Sequence, residues 1–128
     1  MKQPVEIMVV DDEAIVCERL QDYLQKQGMS VEAFTESQKA LDRLKEKSFD
    51  VIVTDLKMEG PTGMDILSTV KRLEYGSEVI LITAYGQYEV MREAKAVGVF
   101  EYIDKPFKMS DMHKLVKKAA ERSRKRSK

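Results

Sequence analysis

Short runs of apolar and β-branched residues recur five times along the chain, and longer segments of mixed polarity separate them. The runs cover residues 5–10, 30–34, 51–54, 79–83 and 99–103. Runs of this length predict buried strands when segments with helical periodicity lie between them. The pattern therefore predicts five strands.

Each segment that follows a run carries apolar residues three and four positions apart, which is the spacing of one helix face. Gly28 and Gly98 are the predicted ends of the first and fourth helices. Thr35 and Gln38 have the spacing of a capping box and predict the start of the second helix. The apolar faces comprise Ile15, Val16, Leu20, Tyr23 and Leu24; Ala40, Leu41 and Leu44; Ile66, Leu67, Val70 and Leu73; Val90, Met91, Ala94 and Val97; and Met112, Leu115, Val116 and Ala119.

Five alternating strand and helix units, with strands that are apolar on both faces, predict an α/β fold built on a doubly wound parallel sheet. The length of 128 residues fits one domain. We expect this domain to cover residues 1–120, and residues 121–128 to form a basic tail or the start of a linker. In such folds, ligands bind beyond the carboxyl ends of the strands.

Composition narrows the class of protein. With 43% hydrophobic residues, the chain is not typical of disordered regions. Cys17 is the only cysteine, so an internal disulfide is excluded. The sequence has neither a signal-peptide-like start nor an apolar run long enough to cross a bilayer. We therefore expect a cytoplasmic protein that does not bind membranes.

Charge is distributed unevenly. Of 22 basic and 22 acidic residues, eight basic residues and one acidic residue lie within 114–128, which leaves residues 1–113 with a net charge of −7. Phosphate neutralisation supplies much of the affinity for nucleic acids, so an acidic body argues against direct nucleic-acid binding by this domain. The basic end is typical of a solvated helix terminus.

Acidic, hydroxyl and lysine side chains stand at the edge of the sheet where ligands bind. Asp11 and Asp12 follow the first strand, Asp55 follows the third, Thr83 ends the fourth, and Lys105 lies just after the fifth. Carboxylates placed close together repel one another unless a cation joins them or one takes a proton. A set of oxygen ligands favours Mg²⁺, and Mn²⁺ would fit the same site.

Other phosphate-binding signatures are missing from the sequence. It contains neither the P-loop pattern nor the G-x-G-x-x-G pattern of dinucleotide sites. A flavodoxin-like phosphate loop is also disfavoured, because Asp11, Asp12 and Glu13 occupy the first strand–helix turn and would repel a bare phosphate. What remains is phosphate chemistry through a metal, with a carboxylate that can accept a phosphoryl group.

Four motifs, in order and each at a predicted strand end, resemble the receiver domain of bacterial two-component response regulators. They are Val9-Val10-Asp11-Asp12-Glu13, Val51-Ile52-Val53-Thr54-Asp55-Leu56-Lys57-Met58, Ile82-Thr83-Ala84 and Tyr102-Ile103-Asp104-Lys105-Pro106-Phe107. The resemblance implies a flavodoxin-like sheet with strand order 2-1-3-4-5 and five helices. It also implies a phosphorylation-activated switch, which catalyses only its own phosphorylation and dephosphorylation.

The resemblance implies a role for each residue of this edge. Asp55 would accept the phosphoryl group from a sensor histidine kinase or a histidine phosphotransfer protein. Asp12, Asp55 and the backbone carbonyl of Lys57 would bind the metal, and Asp11 would act on it largely through water. Lys105 would pair with the phosphoryl oxygens.

The resemblance also implies a conformational switch. Thr83 would move toward the phosphoryl group, and Tyr102 would turn inward into the space that Thr83 leaves. The fourth helix, fifth strand and fifth helix would report the change. Lys57 and Tyr85 stand where the family tunes the lifetime of the phosphate, and the Lys105–Pro106 peptide bond would be cis. The residues alone leave open that Tyr102 is an ordinary packed aromatic.

One position departs from the family pattern. The family usually has proline four residues after the phosphoacceptor, whereas this chain has Glu59 there and its proline at Pro61. Gly63 stays in step with the family. We therefore expect a changed loop and a working site.

Other functions stay open at this point. A metal-dependent phosphatase would use similar acids, but such families usually show D-x-D at one strand end, which Asp55-Leu56-Lys57 lacks. A pseudo-receiver would act by partner binding without phosphorylation. The motifs around Thr83 and Lys105 are closest to receivers of nitrogen-regulation-type transcriptional activators, whose output domains would lie beyond Lys128. Homodimerisation through the fourth and fifth helices is a further expectation.

Overall fold

The computed structural model describes residues 3–84 and 87–126, and within them five parallel strands form one sheet in the order β2-β1-β3-β4-β5. The strands are β1 (Glu6–Val10), β2 (Ser30–Phe34), β3 (Val51–Asp55), β4 (Glu78–Thr83) and β5 (Glu101–Asp104). The helices are α1 (Ala14–Lys26), α2 (Ser37–Glu46), α3 (Gly63–Leu73), α4 (Tyr88–Val97) and α5 (Met109–Arg126). The predicted fold class and strand order are confirmed.

Helices cover both faces of the sheet. Because successive side chains of a strand point to opposite faces, each strand contributes to two cores. The core under α1 and α5 contains Ile7, Val9, Val51, Val53, Ile80, Ile82, Leu20, Leu24, Met112 and Val116. The core under α2, α3 and α4 contains Met8, Val10, Ile52, Val79, Leu81, Leu44, Ile66, Leu67, Met91 and Ala94. Within the described residues, every helix is too short or too polar to cross a lipid bilayer.

The fifth strand lies further along the chain than the sequence pattern predicts. It was expected at 99–103 and is found at Glu101–Asp104. The N–H groups of Gly98 and Val99 both donate to the carbonyl of Ala94, at 3.0 and 2.9 Å, and so close the end of α4. The apolar Val99 therefore belongs to the helix exit. Gly98 adopts the left-handed conformation, and its predicted role as a helix end is confirmed.

The predicted capping box at Thr35 and Gln38 is wrong. The helix α2 begins at Ser37, and its N-cap residue is Glu36, whose side chain makes no capping hydrogen bond. Thr35 therefore lies one residue outside the cap. A capping box is present at the start of α3 instead, where Thr62 and Asp65 bond reciprocally to each other's backbone N–H groups.

The last helix extends through most of the segment that the sequence suggested as a tail. Ser123 is buried, and Arg124 donates to the carbonyl of Pro4 at 2.8 Å and to Asp50 at 3.3 Å. Arg122 lies 3.1 Å from the buried carboxylate of Glu78. Residues 122–124 thus contact the amino-terminal edge of the sheet, and the domain boundary at 120 stays a prediction.

Candidate functional site

Three carboxylates meet at the carboxyl edge of the sheet. Strands β1 and β3 are neighbours, so the residues that end them or follow them share one corner. One ligand atom from each of Asp11, Asp12 and Asp55 lies within 4.8 Å of the others. Asp11 is fully buried, Asp55 is partly buried and Asp12 is exposed. This grouping is one that could hold a metal ion.

The two oxygens of the buried Asp11 carboxylate have different surroundings. Its Oδ1 accepts a hydrogen bond from the backbone N–H of Glu13 at 2.9 Å. Its Oδ2 is buried and makes no hydrogen bond within the described part of the chain. Burial raises the pKa of Asp11, the bond from Glu13 opposes this, and the negative charge of Asp55 adds to it. An anionic oxygen that burial leaves without a hydrogen bond fits a nearby cation.

Lys105 supplies positive charge to the same corner. Its Nζ lies 2.8 Å from Glu13 Oε1, 3.1 Å from Asp55 Oδ2 and 3.4 Å from Asp11 Oδ2. Burial alone would lower the pKa of Lys105, but its hydrogen bonds to Glu13 and Asp55 outweigh burial and raise it. The ammonium group therefore stays protonated. The Lys105–Pro106 peptide bond is cis.

Hydrogen bonds beyond the strand ends hold these residues in place. The N–H of Asp11 donates to Phe34 at 3.1 Å, and the N–H of Lys105 donates to Thr83 at 2.8 Å, so both residues continue the pairing of the sheet. The Sγ of Cys17 donates to the carbonyl of Asp11 at 3.2 Å. Burial raises the pKa of Cys17 to about 11, so the thiol stays protonated and acts as a packed donor.

The turn between β3 and α3 packs closely around Asp55. Gly63 donates its N–H to the carbonyl of Leu56 at 2.9 Å. A Cβ at Gly63 would lie 2.5 Å from the carbonyl oxygen of Asp55 and 2.9 Å from the Cα of Leu56. Only glycine fits this position without a shift of backbone. Glu59 stands where the sequence departs from the family pattern, and its backbone carbonyl accepts a hydrogen bond from the hydroxyl of Ser37 at 3.2 Å.

Thr83 and Tyr102 lie on the face of the sheet that α4 covers. The hydroxyl of Thr83 donates to Asp104 Oδ1, and Thr83 is almost completely buried. Tyr102 is partly buried, with the ammonium group of Lys95 5.8 Å from its ring centre. A cavity of only about 10 Å³ lies between the two predicted switch residues, bordered also by Met91 of α4. In this conformation there is no room for the ring of Tyr102 to turn inward.

The predicted site residues that remain are Lys57 and Tyr85. Lys57 follows β3 with an exposed side chain. Tyr85 lies outside the described residues. The structure adds three residues that sequence reasoning did not assign: Glu13 as a partner of Lys105, Asp104 as the acceptor for Thr83, and Gln87, whose Oε1 accepts from Ala84 N–H at 2.7 Å.

Chemically, the corner combines a carboxylate that could act as a nucleophile with groups that could neutralise charge. A carboxylate can accept a phosphoryl group if the charge on the transferring oxygens is balanced. Asp55 keeps 13% of its side-chain surface exposed, the Nζ of Lys105 lies 3.1 Å from its carboxylate, and three acids could hold a divalent metal.

Comparisons with known proteins agree with this geometry. A family model described as the response regulator receiver domain matches residues 7–117. Sporulation initiation phosphotransferase F of Bacillus subtilis (strain 168) is 30% identical over 112 residues, which are 88% of this chain and 90% of that protein. Transcriptional regulatory protein ZraR of Escherichia coli (strain K12) is 30% identical over 115 residues, or 90% of this chain and 26% of that protein. The chain thus spans about a quarter of the length of ZraR.

Solved structures show the same likeness. A response regulator receiver domain protein from Clostridium thermocellum superposes with a TM-score of 0.88 at 31% identity, covering 94% of this chain and 97% of that one. Full-length FixJ from B. japonicum gives a TM-score of 0.86 at 26% identity, covering 95% of this chain and 60% of that one. The family match over most of the sequence shows that the chain belongs to the response regulator receiver domain family.

Proposed function

We propose that the chain is a phosphorylation-activated switch in which Asp55 is the phosphoacceptor. A carboxylate oxygen of Asp55 attacks the phosphorus of a phosphohistidine on a sensor histidine kinase or a histidine phosphotransfer protein. The phosphorus–nitrogen bond breaks, and the imidazole nitrogen leaves with its electron pair. The observation that carries the proposal is the contact between Lys105 and Asp55 within a cluster of three aspartates.

Lys105 has two tasks in this mechanism. Before transfer it balances part of the negative charge of the acids that surround it. During transfer its ammonium group stabilises the charge on the phosphoryl oxygens. The raised pKa of Lys105 supports both tasks, since the side chain keeps its proton at physiological pH.

The acidic corner would hold Mg²⁺, or Mn²⁺ in its place. The ligands would be Asp12, Asp55 and the backbone carbonyl of Lys57, with Asp11 acting largely through water. When bound, the metal supplies charge neutralisation for the phosphoryl oxygens. The buried Oδ2 of Asp11 makes no hydrogen bond among the described residues and lies 3.4 Å from the Nζ of Lys105, so it is left to accept a hydrogen bond from a metal-bound water, which supports a metal ion beside it.

An apolar groove beside Lys105 supports approach by a protein donor. The groove has a volume of about 390 Å³, and α1 and the turn before α5 line it. Ile15 belongs to this lining and is 51% exposed, so it adds apolar surface at the mouth of the groove. A donor helix that covered the groove would bring its phosphohistidine close to Asp55.

Phosphorylation would act on the output face through Thr83 and Tyr102. Thr83 would turn toward the phosphoryl group, and Tyr102 would fill the space that it leaves. The cavity of about 10 Å³ supports this order of events, because the ring of Tyr102 can enter only after Thr83 has moved. The surface formed by α4, β5 and α5 would carry the change, and Lys57 and Tyr85 would tune the lifetime of the phosphate.

We propose a cytoplasmic switch, with a domain over 1–120 followed by a basic segment, that controls an output domain beyond Lys128 or a separate partner. The name of ZraR, a transcriptional regulatory protein, favours transcription as the output. Homodimerisation through α4 and α5 would be one way to transmit the signal. The acidic body argues against direct contact with nucleic acid by this domain.

Labelling with radioactive acetyl phosphate and Mg²⁺ tests the proposal. Wild type should take up label that is stable to gel filtration, and Asp55→Asn should take up none. Asp42→Asn, which changes an exposed acid of α2, is the matched control and should label as wild type does. Labelling of Asp55→Asn at the wild-type level would refute the assignment. A folded wild type that takes no label would indicate a pseudo-receiver, and steady turnover of a phosphomonoester above about 1 s⁻¹ would indicate a phosphatase.

A further inference from the structure

We infer that Asp104 and Gln87 form an off-state latch: Asp104 holds the Thr83 hydroxyl away from the phosphoacceptor, and Gln87 ties the backbone that follows β4 to the start of α4. The inference rests on the proposed role of Asp55. It concerns regulation of that site. The free energy needed to break the latch is subtracted from the free energy that the phosphoryl group gains when it binds its donors.

The first half of the latch joins Thr83 to Asp104. The two residues are register partners at the ends of β4 and β5, so their side chains point to the same face of the sheet. The hydroxyl of Thr83 donates to Asp104 Oδ1 in a nearly buried position. A hydrogen bond to a charged acceptor is among the stronger ones in proteins.

The second half joins the next residue of the chain to α4. Gln87, the N-cap residue of α4, makes no capping hydrogen bond to its own helix. Its Oε1 instead accepts from the N–H of Ala84 at 2.7 Å. Both donors that β4 presents at its end are thus bonded to side-chain acceptors from neighbouring elements.

Strand alternation explains why these bonds oppose the switch. Asp55 is the register partner of Ile82, which belongs to the core under α1 and α5. Thr83 is one residue further and therefore points toward the face that α4 covers. For the Thr83 hydroxyl to reach a group on Asp55, it must leave Asp104. The anion on Asp55 must then replace a charged acceptor that is already in place.

The latch changes a population rather than creating a new state. A bond made only in the resting state lowers the fraction of molecules whose donors are free, and the apparent affinity for a phosphoryl group falls by that fraction. Removing an acceptor should therefore tighten binding of a phosphoryl mimic. A neutral hydrogen bond predicts a change of about fivefold, and a charge-assisted one predicts about tenfold or more.

The test titrates the phosphoryl mimic beryllofluoride, with saturating Mg²⁺, into wild type, Gln87→Ala and Asp104→Ala. Amide NMR shifts give the dissociation constant and also the resting position of the α4 signals. We expect tighter binding for both variants, and free-state α4 shifts that move toward those of saturated wild type. Asp42→Ala removes an exposed acid from α2, away from the latch, and is the control, with affinity expected within twofold of wild type.

Asp104→Ala also removes a negative charge near an acidic site, so a double-mutant cycle separates charge from latch. In a Thr83→Val background the hydroxyl is gone, so Asp104→Ala should then tighten binding less than it does in the wild-type background, because only the effect of the lost charge remains. An equal gain in the Thr83→Val and wild-type backgrounds would overturn the Asp104 half, and an unchanged affinity of Gln87→Ala would overturn the Gln87 half. If wild type itself fails to bind beryllofluoride, the proposed function of Asp55 has failed instead.

Discussion

The Nζ of Lys105 lies 3.1 Å from the carboxylate of Asp55, although 50 positions separate the two residues in the chain. The sheet brings them together, because β3 and β5 flank β4 and all three strands end at the same edge. Around this pair, Asp11 and Glu13 complete a cluster of three acids around one ammonium group. The balance of charge in the cluster governs both stability and the proposed chemistry.

Replacing Lys105 by methionine should destabilise the metal-free protein. The change keeps most of the side-chain length but leaves the buried Asp11 and its neighbours without their cation. We expect a loss of about 2 kcal/mol in the free energy of unfolding in EDTA. Urea unfolding monitored by circular dichroism measures it, and Mg²⁺ should restore part of the loss. Lys45→Met, at an exposed position of α2, is the control; an equal loss in both variants would contradict the account.

Mg²⁺ should stabilise the wild type through the aspartates. A ligand that binds only the folded state adds about 2.7 kcal/mol at one hundred times its dissociation constant. We expect Asp12→Asn to be slightly more stable than wild type in EDTA, since one of three like charges is gone, and to gain much less from Mg²⁺. Thermal unfolding with Mg²⁺ and with EDTA measures both effects. Asp22→Asn, exposed on α1, should respond to Mg²⁺ as wild type does; a full response from Asp12→Asn would argue against this metal site.

Gly63→Ala should disturb both stability and the site. The added Cβ would meet the carbonyl of Asp55 at 2.5 Å, and backbone cannot move aside as a flexible side chain can. We expect a loss of about 1–3 kcal/mol, together with weaker beryllofluoride binding. Gly28→Ala introduces backbone strain where a Cβ has open space, so it should cost stability but leave beryllofluoride binding intact. Unchanged binding by Gly63→Ala would show that the turn does not position Asp55.

Glu32 on β2 gives a pH-dependent contribution to stability away from the site. Arg43 binds it through Nε at 2.8 Å and through a second nitrogen at 3.1 Å, and Lys47 lies 3.2 Å away. The hydrogen bonds from Arg43 lower the pKa of Glu32, against the opposing effect of burial and with further help from Lys47. Its folded pKa is therefore below the ordinary value of 4.5.

The sign of the pH effect follows from that direction. The stabilisation is complete above the ordinary pKa of the carboxyl and disappears as the pH falls through the folded pKa. Glu32→Gln should thus cost about 1 kcal/mol at pH 7 and progressively less in acid. Urea unfolding at several pH values measures the difference. Glu46→Gln, whose exposed carboxylate lies 3.9 Å from Arg43, should have a smaller effect at pH 7; a pH-independent loss for Glu32→Gln would exclude the ion pairs as its cause.

Strand and helix periodicity predicted the architecture, since strands buried on both faces and helices with one apolar face produce strong local patterns. The residues at the carboxyl edge could be predicted in the same way, because parallel strands bring their ends together. Asp11, Asp55 and Lys105 required only the positions of the strand ends. Their partner Glu13 was not assigned, because an exposed acid on a helix N-terminus gives no signal of its own.

The features that were missed depend on tertiary contacts. The pairing of Thr83 with Asp104 requires the register between β4 and β5, which the displaced start of β5 had obscured. The burial of Ser123 and the bonds of Arg124 depend on where the end of α5 meets the sheet, which composition cannot show.

The central claim is that a phosphoryl group on Asp55 turns a switch, and beryllofluoride binding with Mg²⁺ followed by amide NMR tests it most directly. In wild type, we predict shifts at Asp55, Thr83 and Tyr102 that need both Mg²⁺ and beryllofluoride. Asp55→Asn should show none of them while keeping a folded spectrum. Shifts of the same size in Asp55→Asn, or a folded wild type that shows no response, would contradict the account.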